Sequence, residues 1–147
     1  MTLAVLAIVA GTLIASVVPV SADVSADSPP VGLVRVESPG TLQARGAAVT
    51  VRLTFVGPAS NPGPFPQGYI NVSVTERVGQ QIATGSASAS IGWFTGGAET
   101  IELTVQAQPG SAPFRRGTAF ASASLQVNQS FPSPPPATDQ REIQIVR

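Results

Sequence analysis

The stretch ATGSASASIG, residues 83–92, decides how the rest of this chain is read. Ala83, Gly85, Ala87, Ala89 and Ile91 alternate with Thr84, Ser86, Ser88 and Ser90. A period of two puts the first set on one face of a β-strand and the second set on the other. A second segment, GTAFASASLQV (117–127), repeats the pattern with Ala119, Ala121, Ala123, Leu125 and Val127 on one side. Silk-like stacking needs many such strands laid flat, and two isolated copies do not supply them. Small residues are better placed as the receiving half of a core, opposite bulkier strands.

The bulkier strands are present. AAVTVRLTFV (47–56) sets Val49, Val51, Leu53 and Phe55 against Thr50, Arg52 and Thr54. YINVSVTER (69–77) and ETIELTV (99–105) alternate in the same way. This is the signature of half-buried antiparallel strands, apolar inward and polar outward. VGLVRVE (31–37) precedes them, with a turn at Pro39-Gly40, and REIQIVR (141–147) follows. With the two alanine/serine segments, at about 80–91 and 117–127, that makes seven short strands separated by Gly/Pro clusters. Seven strands so spaced predict an all-β, seven-stranded antiparallel immunoglobulin-like β-sandwich over residues 31–147. The fourth strand has neither charge nor proline between Ile82 and Ile91. It therefore reads as an edge prone to self-association in an otherwise monomeric protein.

The chain opens with MTLAVLAIVAGTLIASVVPVSADVSAD. An apolar run from Leu3 to Val18, a break at Pro19 and small residues before Ala22 read as a signal peptide, 1–22. Ala26 offers a second cleavage point in the repeated VSAD, and 23–30 form a polar spacer. Retention of the run as a membrane tether is the alternative, since 18 residues is near the lower limit of a span. Cleavage predicts a secreted, extracellular protein of the cell envelope with no remaining stable span.

The strand and turn pattern in GAAVTVRLTF, INVSVTERVGQQIATGSASAS, ETIELTVQA and GTAFASASLQV resembles secreted immunoglobulin-like domains of high-GC actinobacteria. The resemblance covers residues 31–147 and implies the sandwich fold. It carries over no functional residues. Such domains commonly hold cysteine pairs near the ends of the second, fourth and sixth strands, and this chain has no cysteine.

With no Cys, His or Lys, the chain lacks thiolate, imidazole and amine chemistry, and zinc sites built on Cys and His are excluded. No cofactor and no metal is expected. Eight arginines balanced by eight acids give no prior for nucleic acid. A small carboxylate-dependent glycoside hydrolase needs only two converging acids. However, Glu99 and Glu102, three apart on a strand, point to opposite faces. Glu76 reads as a solvated charge at a hairpin, and Asp139 and Glu142 flank the last strand. The sequons at 71–73 and 128–130 are formal glycosylation acceptors only.

The loops carry more. Those at 57–68, 92–97 and 128–139 fall at one pole of the predicted sandwich, bringing Phe65, Trp93, Phe94 and Phe131 as candidate binding residues. The opposite pole gathers Arg45, Arg77, Arg115 and Arg116, which suit acidic wall polymers or lipid headgroups. The sequence therefore reads as a non-catalytic structural or binding module of the cell exterior. A cell-wall glycan or an envelope protein is the expected partner.

Overall fold

The computed structural model describes residues 31–128 and 133–147. The expected signal peptide, the spacer and Phe131 lie outside them. Eight strands run through the described residues: β1 (Leu33–Val36), β2 (Gly40–Gln43), β3 (Ala48–Val56), β4 (Gly68–Val78), β5 (Gln81–Ile91), β6 (Glu99–Ala107), β7 (Gly117–Val127) and β8 (Ala137–Val146). A short 3-10 turn, Ala44–Gly46, links β2 to β3.

The alternation is realised along each strand. β5 and β7 both pair with β4, so the two alanine/serine segments lie on either side of a bulkier strand. In register, Ala87, Val72 and Ala123 form one inward row, and Gly85, Val74 and Ala121 form the next. The serines line up on the outer face: Ser88, Asn71 and Ser124, then Ser86, Ser73 and Ser122. Bulky β4 side chains thus fill the space that their small neighbours leave. Val51, Leu53, Ile70, Val74, Val105 and Ala121 are among the fully buried side chains of one continuous core.

The expected architecture needs correction. This is not an open antiparallel immunoglobulin-like β-sandwich: seven strands close into a barrel in the order β2, β3, β6, β5, β4, β7, β8 and back to β2, and β1 extends the wall on β3. The barrel is mixed, because β2 runs parallel to β8 through Gly40 with Ile145 and Thr41 with Val146. Two local features produce the closure. The expected first strand, 31–37, ends early, and Gly40 continues as a strand rather than completing a turn. β1 pairs with the far half of β3 and β2 with its near half, which leaves the other edge of β2 free to meet β8. On the opposite side β5 meets β6 only at Gly85 and Ser86. A Cβ at Gly85 would stand 2.1 Å from the carbonyl oxygen of Gln106, so only glycine allows this approach. The last strand also starts earlier than 141, at Ala137.

The expected edge strand, β5, is half covered. Beyond its two pairs with β6, Thr84 and Ile82 accept hydrogen bonds from the N–H groups of Gln108 and Ala112. The upper half, Ala87 to Ile91, has no partner strand on that side. Ser88→Lys places a charge there on an exposed position. Sedimentation should show less self-association than wild type at high concentration, at a stability cost within about 0.5 kcal/mol. A wild type that stays strictly monomeric would refute this.

The other open seam lies between β1 and β8. Asp139 and Arg141 occupy inward positions on β8, opposite Ala123 and Ala121 of β7, whose small side chains leave room for them. Asp139 Oδ2 accepts the N–H of Val36 at 2.7 Å and the Nε–H of Arg141 at 2.8 Å. A carboxylate thus takes the place of the missing strand partner. Partial burial acts to raise the Asp139 pKa. The hydrogen bonds from Arg141 and Val36, with the charges of Arg141 and Arg35, outweigh it and hold the group below its ordinary value of 3.8. A depressed pKa contributes stability that is complete above the unfolded value and lost as pH falls through the folded one. Asp139→Ala, which strips the acceptor from a buried N–H, is expected to cost about 1–3 kcal/mol at neutral pH. Asp139→Asn keeps an acceptor oxygen but not the charge. Its urea midpoint should therefore begin to approach that of wild type as pH falls below about 4, and meet it only once pH has passed through the lowered native pKa of Asp139.

Candidate functional site at the arginine pole

The two poles of the barrel differ in what closes them. At the upper pole Phe94 enters the core with no exposed surface and meets Phe55 edge-on, ring centroids 6.2 Å apart. Its backbone is clamped to the loop after β3: Phe94 N–H donates to Ser60 Oγ, and Ser60 N–H donates to the Phe94 carbonyl, each at 2.9 Å. Phe94 therefore has no face to offer a ligand. Trp93, one residue earlier, is 48% exposed and Phe65 is 76% exposed. The structure brings these two to the same pole. Phe131 is not among the described residues.

The lower pole is plugged by Phe114, 1% exposed, from the loop between β6 and β7. Around it opens a cavity of about 450 Å³ lined by Leu42, Arg45, Phe114, Arg115, Arg116 and Arg147. Three of the four arginines expected at this pole thus share one cavity. The fourth, Arg77, donates through Nε to the carbonyl of Gly79 in its own hairpin and does not line it. Arg147 was missed by sequence reasoning. Counting strands was the available signal, since β8 ends where β2 ends and where β6 turns into β7.

Local backbone geometry brings these arginines together. Ala44 and Arg45 both hold positive φ, at 46° and 57°, and Gly46 follows at 97°. For the two non-glycine residues this left-handed conformation is unfavourable by roughly 1–2 kcal/mol each. It persists because tertiary contacts hold the turn in place. The carbonyl of Gly46 accepts the N–H of Phe114 at 2.8 Å, and a Cβ on Gly46 would stand 2.3 Å from the Phe114 oxygen. That contact sets the Arg45 turn against the loop carrying Arg115 and Arg116.

Glu76 secures the same loop from the inside. Far from being a solvated charge, it is 4% exposed and its Oε2 accepts the Arg115 N–H at 2.8 Å. Its carboxylate is spent on backbone. Among the described residues, ion pairs form between Arg52 and Glu102 and between Arg141 and Asp139, and none involves the arginines of the cavity.

The remaining acids mostly serve the fold. Glu99 accepts from the backbone and hydroxyl of Thr95, Glu37 accepts from Thr54, and Glu102 holds Arg52 at 2.7 Å. Glu37 and Glu102 line one polar groove of about 330 Å³ on the outer face of β3, with Arg52 beside them. No group of three or more potential metal-binding side chains gathers among the described residues. No helix among them is long and apolar enough to cross a membrane. No family model matches the chain, and no curated protein matches it either.

Proposed function

We propose that this protein is a secreted, non-catalytic binding module of the cell exterior that engages an anionic envelope component through its arginine pole. One observation carries the reading. Half of the arginines in a chain of zero net charge line a single cavity, and the described residues supply none of them with an acidic partner. Arginine forks left without a carboxylate are suited to an external anion, for which they supply charge-assisted and bidentate hydrogen bonds. The apolar run followed by Pro19 and small residues supports the exterior address.

The test is a pull-down from the organism's own envelope fraction at low salt and again at 0.5 M salt. Capture that salt abolishes supports the reading, because charge attraction at an exposed site is screened within about 8 Å at physiological strength. No capture under either condition rejects it.

One observation favours a second reading. Glu37 and Glu102 share a groove, and a carboxylate-dependent glycosidase needs two acids about 5–10 Å apart. Glycan hydrolysis lost in both Glu37→Gln and Glu102→Gln would establish that activity.

A further inference from the structure

We propose that two copies of this chain pair through the upper half of β5, in one register, as a closed two-fold dimer, independently of what the arginine pole binds. The direction of the backbone groups along β5 carries this reading.

Successive residues of a strand send their N–H and C=O groups to opposite edges. The Ile91 carbonyl accepts the Gln67 N–H, so the odd-numbered residues of β5 face β4 and the even-numbered ones face away. On that far side Ile82 and Thr84 accept from Ala112 and Gln108, and Ser86 is paired with Gln106. Ser88 and Ser90 come next. Their backbone N–H and C=O groups find no partner among the described residues. Unpaired groups along a sheet edge are a template for another strand.

This edge suits a copy of itself. No Asp, Glu, Lys, Arg or Pro occurs from Val78 to Ala98, so nothing there repels or blocks a second β5. The other open edges differ. The free side of β6 carries Glu102 between Thr100 and Thr104, and self-pairing would bring like charges together. The edge of β1 is met by Asp139, which takes the Val36 N–H.

The free groups also select the register. A two-fold axis at Ala89 sets Ser88 opposite Ser90 of the second copy and Ser90 opposite its Ser88, so every free group is paired. An axis at Ser88 would need Ser86, which Gln106 already holds, and an axis at Ser90 would need Gly92, beyond the end of the strand. On the inner face, the axis at Ala89 brings Ala87 beside Ile91 of the second copy. That continues the alternation of small and bulky side chains seen across β5, β4 and β7. Ala87 and Ala89, only partly buried in the single barrel, gain cover. Such an interface is isologous and closes at two copies. Because the axis lies near the upper end of β5, the two arginine poles face away from each other. Each stands about 25 Å from the axis, at about 3.3 Å per residue.

The experiment reads oligomeric state and register together. Sedimentation equilibrium of the full chain, from about 10 µM to about 1 mM, should show monomer and dimer and no larger species. Ser88→Pro removes an N–H that only the dimer uses, so it should be monomeric with a Tm close to wild type. Ala89→Cys sets two thiols across the axis at a non-hydrogen-bonded pair, with Cα atoms about 4.5 Å apart, within reach of a disulfide. Ser88→Cys is more exposed, but its thiol faces Ser90 of the other copy. Under mild oxidation Ala89→Cys should cross-link about tenfold faster than Ser88→Cys, whereas random collision gives the reverse order.

A strictly monomeric wild type overturns the proposal, as do open-ended oligomers. Self-association of Ser88→Pro equal to that of wild type, or faster cross-linking at position 88, overturns it too. A dimer of this register without salt-sensitive envelope capture keeps the proposal and rejects the binding-module reading alone.

Discussion

Phe94→Ala is expected to destabilise the protein by about 3–5 kcal/mol, whereas Trp93→Ala should stay within about 0.5 kcal/mol of wild type. Adjacent aromatic residues differ this much because the loop after β5 turns Phe94 into the core and leaves Trp93 outside it. Phe94 closes the upper end of the barrel with no exposed surface, and its edge-on contact with Phe55 adds to the burial. Truncation leaves a ring-sized void lined by side chains that cannot collapse into it. Trp93 keeps 48% of its surface in solvent, so its removal strips little from the core. Urea unfolding of the two variants measures the contrast. Fluorescence adds an independent check, since Trp93 is the only tryptophan in the chain. Its emission should be red-shifted and readily quenched by acrylamide. Blue, unquenchable emission together with a large Trp93→Ala penalty would assign the plug to the wrong residue.

Gly85→Val is expected to cost roughly 3 kcal/mol, at the upper end of the usual range for overpacking. The added Cβ would stand 2.1 Å from the Gln106 carbonyl oxygen, which is backbone and has no rotamer to swing away. The β5 to β6 seam consists of the pairs Gly85 with Ala107 and Ser86 with Gln106, so displacement there opens the wall. A second consequence follows from the exposed edges. Two unpaired strands are a template for further strands, so self-association should rise along with the loss of stability. Gly92→Ala is the control, because nothing lies within 4 Å of a Cβ there, and it should stay within about 0.5 kcal/mol. Equal midpoints for Gly85→Val and wild type would show that the seam does not hold the barrel closed.

The arginine pole illustrates how far linear reasoning carries. Alternating strands place every second connection at the same end, so Arg45, Arg115 and Arg116 were legible as neighbours. That Arg77 turns back onto its own hairpin, while Arg147 joins the cavity, depends on side-chain choices with no periodic signal. Glu76 misled for a related reason. It lies on the inward face of β4 by parity, following Ile70, Val72 and Val74, yet a glutamate beside an arginine at a hairpin reads as solvent-exposed. Only the Arg115 N–H, 39 residues away, makes its burial tolerable.

What the sequence determined by itself is seven of the eight strands and the face that each of them buries; β2, at Gly40–Gln43, read as part of a turn. Period-two alternation is local, and it assigns Ala119, Ala121 and Ala123 inward and Ser122 and Ser124 outward whatever the strands pair with. What only the tertiary structure decided is the closure of those strands into a mixed barrel rather than two facing sheets. Closure depends on two narrow seams between residues far apart in the chain, Gly40 with Ile145 and Gly85 with Ala107. At Gly85 the missing side chain lets one backbone approach another, and at Gly40 it leaves room for the side chains of Val49 and Ile143; a glycine in a sequence carries no mark of which distant strand will come close to it.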